Sequence, residues 1–239
     1  MARLDVISIR YALSLAVVMV SGFIMALDVR ADDIQFWTVG RAEYPISDDW
    51  AGQALVRFRF DEDVSRAKDF LLRVQPHRQL GPFDFGVGYD YMYSFVTDAT
   101  IEHRPFQWLE HRWRPERLGP LSIKNRLRID ERFRADATGV IVRLRYRLRF
   151  DRRFGDHWYA ALSDEVFANV NDRGEGPPAG FEQNRLRTTI GRFIVPGVRG
   201  EFGYDWQVVE GRGRDVIHRH VLFVNFFAMP AKYRAGRGD

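Results

Sequence analysis

Long stretches of this chain alternate between apolar and polar residues with a period of two, the signature of strands with one face apolar and one face wet. From residue 140 to 152, Val140, Val142, Leu144, Tyr146, Leu148 and Phe150 fall on one side, and Arg143, Arg145, Arg147 and Arg149 fall on the other. A helix would scatter these residues around its axis, whereas a strand sorts them onto two faces. Residues 121–134 repeat the arrangement. Leu121, Ile123, Leu127, Ile129 and Phe133 oppose Lys124, Arg126, Arg128, Asp130, Arg132 and Arg134. The same reading places strands at 83–94, 100–113, 157–170, 181–194, 198–209 and 216–228, with shorter candidates at 33–39, 52–61 and 68–77.

Strand length narrows the architecture. Sandwich strands usually run about 5–6 residues, while a strand that crosses a bilayer needs about 9–11. The expected fold is a closed antiparallel up-and-down transmembrane β-barrel with a polar lumen. Short connections at Val195-Pro196-Gly197 and around Gly155-Asp156 alternate with longer ones at 61–67, 171–180 and 210–215, the rhythm of such barrels. Aromatics near strand ends, among them Phe83, Tyr91, Tyr93, Trp158, Tyr204 and Trp206, fit interfacial girdles. The segments number eleven, and single-chain bacterial barrels have even strand numbers. Twelve strands are therefore expected, with one more hidden in 40–50. Ten follow instead if 33–39 is a partial or lumen-filling strand.

The N-terminus reads as a secretory signal peptide over residues 1–31. Arg3 and Arg10 precede the uncharged apolar run 11–27, and Val29-Arg30-Ala31 offers a cleavage site before Asp32. The barrel is then expected over 32–228, with a C-terminal tail over 229–239. The absence of cysteine excludes disulfide scaffolds, thiolate zinc sites, cysteine nucleophiles and a lipidated N-terminal Cys. Removing residues 1–31 takes three Arg and two Asp from the 36 basic and 32 acidic residues, leaving a formal charge of +3. So small an excess gives no reason to expect a nucleic-acid partner. No metal or cofactor is implied. The expected surroundings are outer-membrane lipid, the barrel-assembly machinery during biogenesis, and small acidic solutes.

Several short motifs, in order, resemble one family. They begin with Trp37, Gly88-Tyr89-Asp90-Tyr91 and the stretch Glu102-His103-Arg104-Pro105-Phe106-Gln107. The Arg-rich pair of strands follows, then the 162–167 segment LSDEVF, Phe181-Glu182-Gln183-Asn184-Arg185, and His220-Val221-Leu222. The chain is similar in these features to the outer-membrane barrels of domain of unknown function 2490. That resemblance implies a location and a fold but no activity. The tail 229–239 departs from the family habit of ending on the last strand.

Candidate chemistry centres on one wall. Arg126, Arg128, Arg132, Arg143, Arg145, Arg147, Arg149, Arg185 and Arg187 are expected to point into the lumen, where rows of guanidinium groups can recognise carboxylate, phosphate or sulfate. Asp130, Glu165, Glu201 and Asp205, with Asp61, Asp84 and Asp90, are expected to face them as ion-pair partners. Two roles remain open, a narrow anion-preferring channel and a plugged binding or structural barrel. Ser163-Asp164-Glu165 admits a hydrolase with a histidine base, yet no spacing ties a His to Ser163 and no nucleophile elbow exists. A soluble periplasmic binding barrel is the third reading. His218 and His220 share a strand face and read as ordinary interfacial residues rather than metal ligands.

Overall fold

The computed structural model describes residues 33–96, 100–135, 137–172, 178–210 and 215–229. The expected signal peptide, and all of the expected tail except Met229, lie outside the described residues. Among those residues the chain forms eleven strands. They are β1 (Asp33–Pro45), β2 (Trp50–Asp61), β3 (Arg66–Leu80), β4 (Phe83–Ser94), β5 (Ile101–Trp113) and β6 (Leu121–Arg134), then β7 (Val140–Phe154), β8 (Trp158–Asn169), β9 (Gly180–Val195), β10 (Val198–Glu210) and β11 (Val216–Ala228).

Each strand pairs antiparallel with its sequence neighbours, and β1 pairs parallel with β11 to close the barrel. This corrects two expectations. The strand number is eleven rather than twelve or ten, and the closure is mixed rather than wholly antiparallel. Residues 33–39 are neither partial nor lumen-filling, because they begin a full strand that runs to Pro45. Residues 46–49 form a turn, so no further strand hides there. The parallel seam works because its inward side chains fit each other. Trp37 and Phe223 are register partners, and with Val221 they form a buried apolar cluster. Gly203 on β10 leaves the space that the Phe223 ring fills, since a Cβ there would overlap the ring. An odd number also separates the ends of the sheet. Asp33 lies at the end with connections of four to ten residues, here the loop end. Ala228 lies at the end with connections of two to seven residues, here the turn end.

Alternation carries through every strand. Large apolar side chains such as Val74, Val87, Leu127, Ile190 and Phe202 stand exposed on the outer face, while charged side chains are buried inside. On β5, where Pro105, Phe106, Trp108 and Leu109 put apolar residues on both faces, the even residues point inward. Glu102, Arg104, Phe106, Trp108 and Glu110 are buried, and Pro105 occupies an outward position opposite Tyr89. Proline has no N–H to give a ladder, and the β5–β6 register accordingly skips residues 104 and 105. Gly88 on β4 makes room for the inward Phe106 ring, which a Cβ at that position would strike.

The seam yields a first prediction. Trp37→Ala should cost about 3–5 kcal/mol by the cavity it opens, read as the midpoint of urea unfolding. Thr38→Ala, one residue along and facing out, should stay within about 0.5 kcal/mol of wild type. Equal effects would contradict the seam packing.

Candidate functional site

Guanidinium and carboxylate groups fill the inside of the barrel because each strand turns every second side chain inward. On the wall built by β3 to β7, Arg73 holds Asp90 through two bonds, Nε to Oδ1 at 2.6 Å and Nη2 to Oδ2 at 2.7 Å. Arg128 donates Nη2 to the same Asp90 at 2.9 Å and also bonds Asp130. Asp130 in turn receives Arg143 Nη2 at 2.7 Å and lies 3.6 Å from Arg145 Nη1. Glu102 accepts from Arg104 and from Arg132, each at 2.7 Å. Arg126 and Arg147 both reach Glu110 Oε2 at 3.1 Å. On the other side, Arg145 binds Glu165 at 2.7 Å and Arg187 binds Asp205 at 2.5 Å.

One acid in this network owes its position to a β-bulge. The β8–β9 register shifts between Phe167 and Ala168, which leaves Glu182 as the extra residue. A bulge of this kind re-aims a side chain, and Glu182 turns inward to meet Arg132 at 3.0 Å and Arg143 at 3.1 Å. Other ties span strands that are not neighbours. Arg149 on β7 lies 3.5 Å from Glu201 on β10, and Tyr159 on β8 donates its hydroxyl to that Glu201 at 2.6 Å.

Eight of the nine arginines singled out from sequence line one cavity of about 260 Å3. Arg128 is the exception. It is buried in the wall, with its guanidinium 3.6 Å from the centre of the Phe106 ring. Asp130 and Asp205 are fully buried beneath the arginines, Glu165 borders the cavity, and Glu201 borders a second cavity of about 490 Å3 nearer the turn end. Asp61, Asp84 and Asp90 are buried as well. The two cavities share Arg41, Arg126, Arg147, Arg149, Arg187 and Asn225, so an arginine belt separates them.

The first cavity is lined by thirteen arginines and only two acids, Glu165 and Glu182. The compensating carboxylates sit behind the guanidinium groups. Arg57 lies outside the arginine-rich pair of strands that marks the lumen wall in the sequence, on β2 in phase with the inward Leu55 and Arg59. Among the described residues no carboxylate stands within ion-pair distance of Arg57, and its Nε lacks a hydrogen-bond partner. The guanidinium instead lies over the Trp37 ring at 5.5 Å. Arg41 is similar, 4.9 Å above the Phe227 ring with an unpartnered Nε.

A family profile described as "Protein of unknown function (DUF2490)" matches residues 34–218. The chain belongs to the DUF2490 family. No match was found among curated proteins. A solved porin, NanC in a rhombohedral crystal form, is similar over 78% of this chain and 93% of its own, at 12% identity and a TM-score of 0.49. At that distance the likeness assigns neither solute nor selectivity to the DUF2490 protein.

The remaining sequence candidates separate cleanly. Ser163 faces inward and is buried, and its cross-strand partners are Arg149 and Arg187. His103, His111, His218 and His220 occupy outward positions on their strands, on the opposite side of the sheet, while the inward His77 is bonded to Asp84 at 3.0 Å and borders the second cavity, whereas Ser163 borders the first. Tyr204 and His220 are hydrogen-bonded at 2.6 Å, and the His218 ring stacks on Trp206 with centroids 5.9 Å apart. Asp164 points outward in mid-strand, where Asn184 donates to it at 2.8 Å. That bond answers part of the cost of an outward carboxylate.

The lattice gives a second prediction. Asp130→Asn in this DUF2490 protein removes the shared anion of Arg128, Arg143 and Arg145, and breaking a buried ion pair from one side costs about 3–5 kcal/mol. Asp49→Asn, whose partner Arg78 is held at the exposed surface, should cost at most about 1 kcal/mol. Urea unfolding of both variants checks the contrast.

Proposed function

We propose that the chain is a non-enzymatic outer-membrane barrel, exported with a cleaved signal peptide, whose lumen is a narrow passage preferring small organic or inorganic anions. Contiguous apolar surface far larger than a few hundred Å2 is rare on soluble monomers, and large apolar side chains cover the outer face on every strand. Aromatics also gather at both ends of that face. Phe58, Phe70, Tyr91, Tyr93 and Phe95 pack together near the loop end, and Trp50 meets Phe85 edge-on near the turn end. Such belts belong at membrane interfaces. Orientation follows from connection length, with the turn end periplasmic and the loop end outside.

One observation carries the selectivity. The first cavity presents thirteen guanidinium groups against two carboxylates, and among the described residues no carboxylate lies within ion-pair distance of Arg41 or Arg57. A carboxylate, phosphate or sulfate entering the lumen supplies what the wall lacks, with arginine offering forked donors to each. Rings of arginine favour anions in pores. The cross-lumen tie from Arg149 to Glu201 favours a second reading, a plugged barrel that binds an anion without passing it.

Planar-bilayer recording of the purified barrel under a KCl gradient tests the proposal. The reversal potential should lie toward the chloride equilibrium potential, and Arg57→Glu with Arg145→Glu should move it toward zero or past it. A cation-preferring wild type would overturn the proposed selectivity, and a silent bilayer would favour the plug. Recovery in the soluble fraction without detergent would overturn the membrane location.

A further inference from the structure

We propose that the outer wall carries a seat for one anionic phospholipid, a site that rests on the membrane reading above. Between β7 and β10 the outer face is not smooth. Ala160 lies between Arg152 and Ile190 in register, and Thr188 lies between Leu162 and Tyr204. Two small side chains among large ones leave a groove of about 500 Å3, walled by Phe150, Ile190 and Phe202. The groove takes an acyl chain by apolar contact and offers almost nothing polar along its length.

Its mouth is different. Arg152 reaches the groove from β7 at the turn end. Arg192 stands across β8 from it, paired in register with Trp158, its guanidinium 5.2 Å from the centre of that ring. Both arginines are exposed. Among the described residues, neither has a carboxylate within ion-pair distance. Arg78, the other outward arginine near the turn end, is bound to Asp49 at 2.7 Å. Two uncompensated cations and a tryptophan at the head of an apolar groove therefore match an amphiphile with an anionic head. A zwitterionic lipid brings its own cation along with its phosphate, so it answers the two arginines less fully than an anionic one. A second copy of the barrel would have to bring carboxylates to them, and of the outward strand carboxylates Glu131 and Asp164 are already bonded to Gln107 and Asn184, while Glu210 lies at the opposite, loop end.

The purified chain, reconstituted into vesicles of phosphatidylcholine and phosphatidylglycerol in equal parts, is extracted in mild detergent and its retained lipid read by native mass spectrometry. Wild type should keep one phosphatidylglycerol in preference to phosphatidylcholine. Arg152→Gln with Arg192→Gln should lower that retention roughly tenfold or more. Thr188→Phe, which fills the groove, should lower retention of both lipids, and Arg78→Gln should change nothing. Heat-modifiable gel migration of each variant confirms that it still folds. Equal retention of the two lipids, or an unchanged double variant, overturns the site while leaving the membrane reading intact. A lipid-free dimer abolished by Thr188→Phe overturns it in favour of a second copy. Failure of wild type to float with the vesicles overturns the membrane reading itself.

Discussion

The structure depends on the neutralisation of charge inside a closed sheet. Once alternate side chains point inward, each buried carboxylate must find a cation and each guanidinium must find acceptors. Asp90, Asp130 and Asp205 meet this need with no exposure at all, each shared between two or more arginines. Such a lattice adds little net stability over an apolar filling, but breaking it from one side is costly. A slip of one residue would turn every inward charge toward the outer face, so the lattice also pins the register of β3 to β10. The layering of the lattice decides its chemistry. Acids lie against the wall, guanidinium groups stand in front of them, and the surface met by a solute is cationic although the chain as a whole is only mildly basic.

Closure imposes the second constraint. With eleven strands the first and last run the same way, and a parallel pair is slightly weaker per residue than an antiparallel one. The seam adds apolar contact to its hydrogen bonds, with Trp37 against Phe223 and Val221 inside the barrel. Trp37 also serves the site, since the guanidinium groups of Arg57, Arg59 and Arg185 all lie within 5.5 Å of its ring centre. One side chain thus joins the strength of the seam to the placement of three cations.

Much of this was legible in the chain. All eleven strands overlap the segments that the alternation marks, although β1 and β3 run well past the short candidates at 33–39 and 68–77, and the inward arginines of β6 and β7 follow from period two alone. Strand parity was not legible, because local patterning says nothing about whether the first and last strands meet parallel or antiparallel. The faces of β5 were hidden by Phe106 and Trp108, which are aromatic yet point inward and carry Arg128 and Arg126 on their rings. The inward direction of Glu182 was not legible, because it is set by a bulge and not by its place in the alternation. That no described carboxylate comes within ion-pair distance of Arg57 is a property of three-dimensional packing, with no signature in the sequence.

The central claim is that apolar residues face lipid while the arginine lattice faces a wet lumen. The chain has no cysteine, so single cysteines placed at residues 142 to 146 of β7 report on their own surroundings. In vesicles, the account predicts that cysteines at 143 and 145 react with a small water-soluble thiol reagent, and that fluorophores at 142, 144 and 146 are quenched by lipid-borne nitroxide. Reaction at all five positions with the aqueous reagent, or lipid quenching at 143 and 145, would contradict it.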